Sequence, residues 1–103
     1  MIRVIYRWSV DPERGGEFAA AWREVTRCIQ QGCPDARGSV VLKSQIDANV
    51  YLAVARWDGI DAWRDSREAE DIVPAPLVER MRAAAGGPAG YEIFDELPDW
   101  ALH

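Results

Sequence analysis

Histidine is almost missing from this sequence of 103 residues: one occurs, and it is the last, His103. Without an interior imidazole no Ser or Cys has the usual base to activate it, which excludes a Ser–His or Cys–His nucleophile. Cysteine is scarce too. Cys28 and Cys33 lie five apart, neither a C-x-x-C redox pair nor half of a zinc site with a second pair elsewhere, and they read as free thiols of a reducing compartment. Lysine occurs once, as Lys43, and the net charge is -5, so the phosphate-neutralising attraction behind nonspecific nucleic-acid binding is lacking. No apolar run approaches the ~20 residues of a membrane helix, and the opening MIRVIYRW has no signal-peptide pattern. The glycine pairs at 15–16 and 86–87 lack the setting and the Lys of a phosphate loop. The charge run RDSREAED (Arg64–Asp71) has no metal-ligand spacing and reads as a solvated helix end. The expectation is one small soluble cytoplasmic domain over residues 1–103, with neither nucleic acid nor membrane as a partner and with no cofactor or metal.

Aromatic rings, by contrast, are plentiful, with five Trp among 49% hydrophobic residues. Ile2–Val10 alternates, placing Ile2, Val4, Tyr6 and Trp8 on one face and Arg3, Ile5, Arg7 and Ser9 on the other, which predicts a strand. Asp11 and Pro12 then supply a helix start. Phe18, Trp22, Val25 and Ile29 recur at helical spacing along one narrow stripe, edged by Ala21 and Cys28. Gly32 and Pro34 end that helix. Arg37–Ile46 and Val50–Trp57 read as two strands joined by the polar Asp47–Asn49. Asp58 is the expected cap of a short second helix carrying Ile60 and Trp63 on one side. Pro76 opens a further helix with Leu77, Met81, Ala84 and Ala85 facing inward, Gly86–Pro88 stops it, and Tyr91–Leu97 is the last strand. The order is strand, helix, strand, strand, broken helix, strand. Two split β-α-β units of this kind fold as a four-stranded antiparallel sheet with its helices on one face, an α+β ferredoxin-like plan. The strands are apolar on both parities, so the uncovered face is expected to pack against a second copy, with Trp100 of the tail reaching the partner.

The chain resembles the antibiotic biosynthesis monooxygenase family of dimeric α/β barrels over nearly its whole length. The resemblance rests on the opening strand running into VDPE, a helix carrying EFAAAW, the approach CPDARGS to the second strand, and ARWDGIDAW (Ala55–Trp63). These are scaffold signatures and none is catalytic in itself. One branch of that family oxidises polyketide-derived quinols or anthrones with dioxygen and no cofactor; another degrades haem with an Asn, a Trp and an iron-ligating His. With the family's strand-ending Trp set on Trp57, those three positions fall on Tyr6, Ser66 and Pro76. A shift of one turn lets Trp63 stand for the Trp, and the His position then falls on Val73. Haem degradation is therefore disfavoured.

What the resemblance implies is a cofactor-independent monooxygenase acting on, or binding, a small aromatic of quinol or anthrone type. The alternative is a noncatalytic small-molecule-binding or stress-response dimer of the same fold. Tyr6 and Arg7 are the candidate catalytic residues, and Trp8, Tyr51, Arg56 and Trp63 the candidate substrate contacts. Each has a structural reading beside it. Trp57 and Trp22 read as core. Trp63 is balanced between core and pocket, as are Tyr6 and Trp8. Arg7 and Arg56, in otherwise apolar strands, need a partner: either an acid such as Asp95 or an anionic substrate. The proton acceptor is not identified.

Overall fold

The computed structural model describes residues 1–68, 72–85 and 88–97. The positions of Trp100 and His103, the end of the charge run at 69–71 and the glycine pair 86–87 lie outside the described residues. The strands are β1 (Ile2–Ser9), β2 (Ala36–Lys43), β3 (Val50–Trp57) and β4 (Pro88–Asp95), and the helices α1 (Gly15–Gly32), α2 (Ile60–Glu68) and α3 (Ala75–Ala85). One antiparallel sheet runs in the order β2-β3-β1-β4. This is the α+β ferredoxin-like arrangement that the alternation and helical spacing predict.

Register follows from the pattern of side chains. Tyr6 stands opposite Ala53 on β3 and Tyr91 on β4, and Val4 opposite Ala55 and Ile93. Ile2, Val4 and Trp8 are buried, whereas Arg3, Arg7 and Ser9 are exposed, as a two-residue period requires. Helix α1 buries Phe18, Ala21, Trp22 and Val25, and α3 buries Leu77, Met81, Ala84 and Ala85. These face Trp8, Val10, Tyr51 and Ala53 in one cluster; Ile2, Val4, Trp57 and Trp63 form a second. Trp57 and Trp63 thus both enter the core.

Boundaries differ from expectation where side chains compete for backbone hydrogen bonds. Asp11 Oδ1 accepts from Glu13 N at 3.0 Å, but it caps a single 3-10 turn (Pro12–Arg14), and α1 begins only at Gly15. Strand β2 stops at Lys43 because Ser44 Oγ accepts from the backbone N–H groups of Ile46 and Asp47, at 3.1 and 3.0 Å, and folds the chain away. Asp58 is held by the Arg37 guanidinium through two bonds of 2.7 and 2.8 Å, an exposed clamp between the start of β2 and the end of β3. Pairing between β2 and β3 shifts register between Ala36 and Ser39, where Gly38 takes a φ of +93° that other residues rarely adopt. The last strand starts at Pro88, earlier than Tyr91.

Candidate active site

Small residues on the helix-facing side of the sheet leave room under the helices. Ala36, Gly38 and Ser39 of β2 and Ala55 of β3 floor a cavity of about 330 Å³. Its walls are aromatic and aliphatic: Tyr6 from β1, Trp22 and Ile29 from α1, Trp57 from β3, Trp63 from α2 and Val78 from α3. The volume suits a small ligand, since such sites run from about 300 Å³ upward.

Several polar side chains interrupt this lining, among them two hydrogen-bonded groups. At one, Trp63 Nε1 donates to the Tyr6 hydroxyl at 3.0 Å. The bond occupies a lone pair on Tyr6 and leaves its own O–H to donate elsewhere. Burial raises the Tyr6 hydroxyl above the ordinary phenol range, opposed by that hydrogen bond and by the nearby charge of Arg67. Tyr6 is therefore a neutral phenol at physiological pH: a donor, not a base. The guanidinium of Arg67 lies 5.1 Å from the centre of the Trp63 ring and 5.0 Å from that of Tyr91, within cation–π range of both. Arg67 is exposed and also part of the lining, which puts it at the mouth. At the second group, Trp22 Nε1 donates to Ser39 Oγ at 2.8 Å, and Ser39 Oγ and Thr26 Oγ1 share a 2.7 Å hydrogen bond. Ser39 is two strands from Tyr6 and, since it stands opposite Ala55 while Tyr6 stands opposite Ala53, two residues further along, about 12 Å at the usual strand spacing and rise.

The structure brings together some of the sequence-derived candidates and separates others. Tyr6 and Trp63 meet in the cavity. Arg56 contributes to its lining, yet its guanidinium is taken by Glu96, with bonds of 2.8 and 3.2 Å. The expected ion pair thus forms with Glu96 and not with Asp95. Arg7 does not share the cavity with Tyr6: adjacent residues of a strand point to opposite faces, and Arg7 borders a separate groove with Leu42 and Leu52. Trp8 and Tyr51 are core residues at 3% and 6% exposure, packed on Phe18 at ring-centre distances of 5.2 and 5.8 Å, and neither lines the cavity. The Trp8 indole N–H finds no partner among the described residues, a cost of about 1–3 kcal/mol that its ring packing offsets. Arg67, Ser39 and Thr26 were not anticipated. The signal for Arg67 was present, because Trp63 and Arg67 are four residues apart and so share one face of a helix. The signal for Ser39 was absent, since its role depends on a strand register.

Cys28 and Cys33 are free thiols. Burial and the charge of Asp35 push the Cys33 thiol up, which favours its protonated form. Among the described residues no group of three His, Cys, Asp or Glu side chains is placed to hold a metal ion, and no helix is long and apolar enough to cross a membrane.

Residues 1–75 match the family model for antibiotic biosynthesis monooxygenase. No curated protein matches the chain. Among solved structures the fold resembles SnoaB, a cofactor-independent oxygenase from Streptomyces nogalater, at 18% identity and a TM-score of 0.73, covering 94% of this chain and 93% of that one. A protein from Bordetella bronchiseptica described as an antibiotic biosynthesis monooxygenase superposes with a TM-score of 0.78 at 17% identity, over 94% and 97% of the two chains. One from Caulobacter crescentus, described likewise, gives 0.75 at 18% identity, over 94% and 90%. At these identities the likeness establishes the fold.

Proposed function

Because this chain belongs to the antibiotic biosynthesis monooxygenase family, we propose that it is a cofactor-independent oxygenase of a small aromatic substrate of quinol or anthrone type. The observation that carries this reading is the cavity itself, about 330 Å³ and walled by Tyr6, Trp22, Trp57 and Trp63. A substrate of this class loses a proton to become an electron-rich anion, and that anion passes an electron to dioxygen. The protein's task is then to hold flat rings away from water and to stabilise negative charge on the substrate oxygen. The Trp63–Tyr6 hydrogen bond aims a neutral phenol O–H for this purpose. Ser39 and Thr26 share a hydrogen bond that uses one of their two hydroxyl protons and leaves the other for a second oxygen across the ring system.

Oxygen uptake tests the reading. Purified protein mixed anaerobically with a panel of quinols and anthrones and then exposed to air is expected to consume oxygen faster than substrate alone. Tyr6→Phe removes one donor to the developing oxyanion and is expected to lower kcat about 10²-fold, the usual scale for such a donor. Ligand binding, seen as quenching of Trp fluorescence, with no oxygen uptake across the panel would leave a noncatalytic binding protein instead.

The working form proposed is a homodimer. On the sheet face away from the helices, Val40 and Leu42 are 55% and 50% exposed and Phe94 47%, beside Ile5 and Leu52. A second copy laid against this face would remove the patch from water.

A further inference from the structure

Oxygenation of the kind proposed above begins with loss of a substrate proton, and the described residues of the cavity lining offer no ordinary base to receive it. Among the described residues no carboxylate and no imidazole lines it. The titratable and charged groups facing it are Tyr6 from β1 and Arg67 from α2, with Tyr91 of β4 against the Arg67 guanidinium; Arg56 of β3 borders it, its guanidinium turned to the other face of the sheet beside Arg3. Helices α1 and α3 contribute no titratable side chain to the lining. Arg56 is bound to Glu96. Arg67 is held differently: its guanidinium lies over the rings of Trp63 and Tyr91 beside the Tyr6 hydroxyl, so a cation stands where a base would be expected.

Resting on that reading of the site, we propose that the cavity ionises its own ligand: Arg67 stabilises the phenolate of a bound acidic phenol, so that the ligand's O–H bond breaks and its proton passes to water at the mouth without a protein base. No electron moves in this step; the O–H bonding pair stays on the ligand oxygen, against the guanidinium.

The magnitude of the effect narrows the ligand class. An opposite charge at contact lowers an ionisation by about 1–3 pH units, and withdrawal from water works against it. A plain phenol ionises near pH 10 and stays neutral at pH 7 even with that help. A phenol conjugated to a ring carbonyl starts lower and is carried across neutrality. Hydroxyaryl carbonyl compounds are therefore the substrates this cavity activates, and plain phenols of the same size are bystanders.

The probe is 7-hydroxycoumarin, a carbonyl-conjugated phenol whose neutral and anionic forms absorb differently, titrated spectroscopically in excess wild-type protein. The bound probe is expected to ionise at least about one pH unit below the free probe, a tenfold gain in anion at fixed pH. Arg67→Gln is expected to abolish the displacement and Arg67→Lys to keep part of it, each variant being checked for native near-UV circular dichroism. Under the same conditions 2-naphthol is expected to remain neutral at pH 7. Three results would overturn the inference: a bound probe that ionises at or above the pH of the free one, a displacement that survives Arg67→Gln, or no binding at millimolar probe. The readout does not depend on turnover. A displaced ionisation with no oxygen uptake from any quinol supports the role of Arg67 and removes the oxygenase reading, whereas oxygen uptake with an undisplaced probe does the reverse.

Discussion

At the scale of single residues, a few side chains fix the shape of the core beside the cavity. Gly15, the first residue of α1, lies so close to the Tyr51 ring that a Cβ there would overlap the phenol oxygen. The absent side chain is what lets Tyr51 reach Phe18. Gly15→Ala is accordingly expected to destabilise the protein by about 1–3 kcal/mol, the usual cost of overpacking, although Ala is the better helix former. Urea unfolding measures it, and Tyr51→Phe in the same chain, lacking the obstructing oxygen, is expected to restore a good part of the loss. Residue identity also decides what was legible. Trp57 reads as core from its place at a strand end; it is buried there and also forms part of the cavity wall. Trp63 is core and cavity wall at once, since its ring packs with Ile2 and Val4 while its N–H reaches Tyr6.

Between elements, charge ties the sheet together at one end. Arg3 of β1 and Arg56 of β3 both bond Glu96, just beyond β4, at 2.8 Å. The two guanidinium groups hold the Glu96 carboxyl down at about 2, against 4.5 for an unperturbed Glu. A carboxylate whose ionisation is depressed by folding adds stability above its unfolded value, and that stability is lost as pH falls toward the folded one. The contribution is therefore complete above pH 4.5 and disappears on acidification toward pH 2. Glu96→Gln is expected to flatten the fall in Tm across that window, as seen by thermal denaturation at a series of pH values. The three side chains are partly exposed, so the difference is small and shrinks further in about 1 M salt, where the screening length is near 3 Å.

For the whole molecule, the question is what covers the sheet. The helices shield one face; the other presents Val40, Leu42 and Phe94 to solvent. Sedimentation velocity at micromolar concentration is expected to give a dimer, and Leu42→Asp, placed in the open face, to yield a folded monomer. A wild-type monomer under those conditions would show that this face stays wet. The cavity lies on the other side of the sheet, so the aromatic-probe titrations on the monomeric variant separate pairing from ligand binding.

Two periodicities set most of the architecture. Alternation in Ile2–Ser9 and Val50–Trp57 and the stripe Phe18, Trp22, Val25 and Ile29 are local properties, because the geometry of a strand or a helix turns sequence spacing directly into a face. From them followed the order of elements, the ferredoxin-like sheet and the buried set of α3. Neither Arg67 nor Ser39 was assigned to the site on that basis. Ser39 meets Trp22 and Thr26 only because β2 pairs with β3 in one register beside α1, and Arg67 meets Tyr91 only because β4 returns alongside β1. Arg7 stands away from the cavity as the alternation of Ile2–Val10 already implies, because the pleat sends it and Tyr6 to opposite faces. Sequence by itself determined which surfaces would be buried, since burial is read from local pattern. Tertiary structure alone decided which polar atoms converge on the cavity, because convergence depends on contacts between residues far apart in the chain.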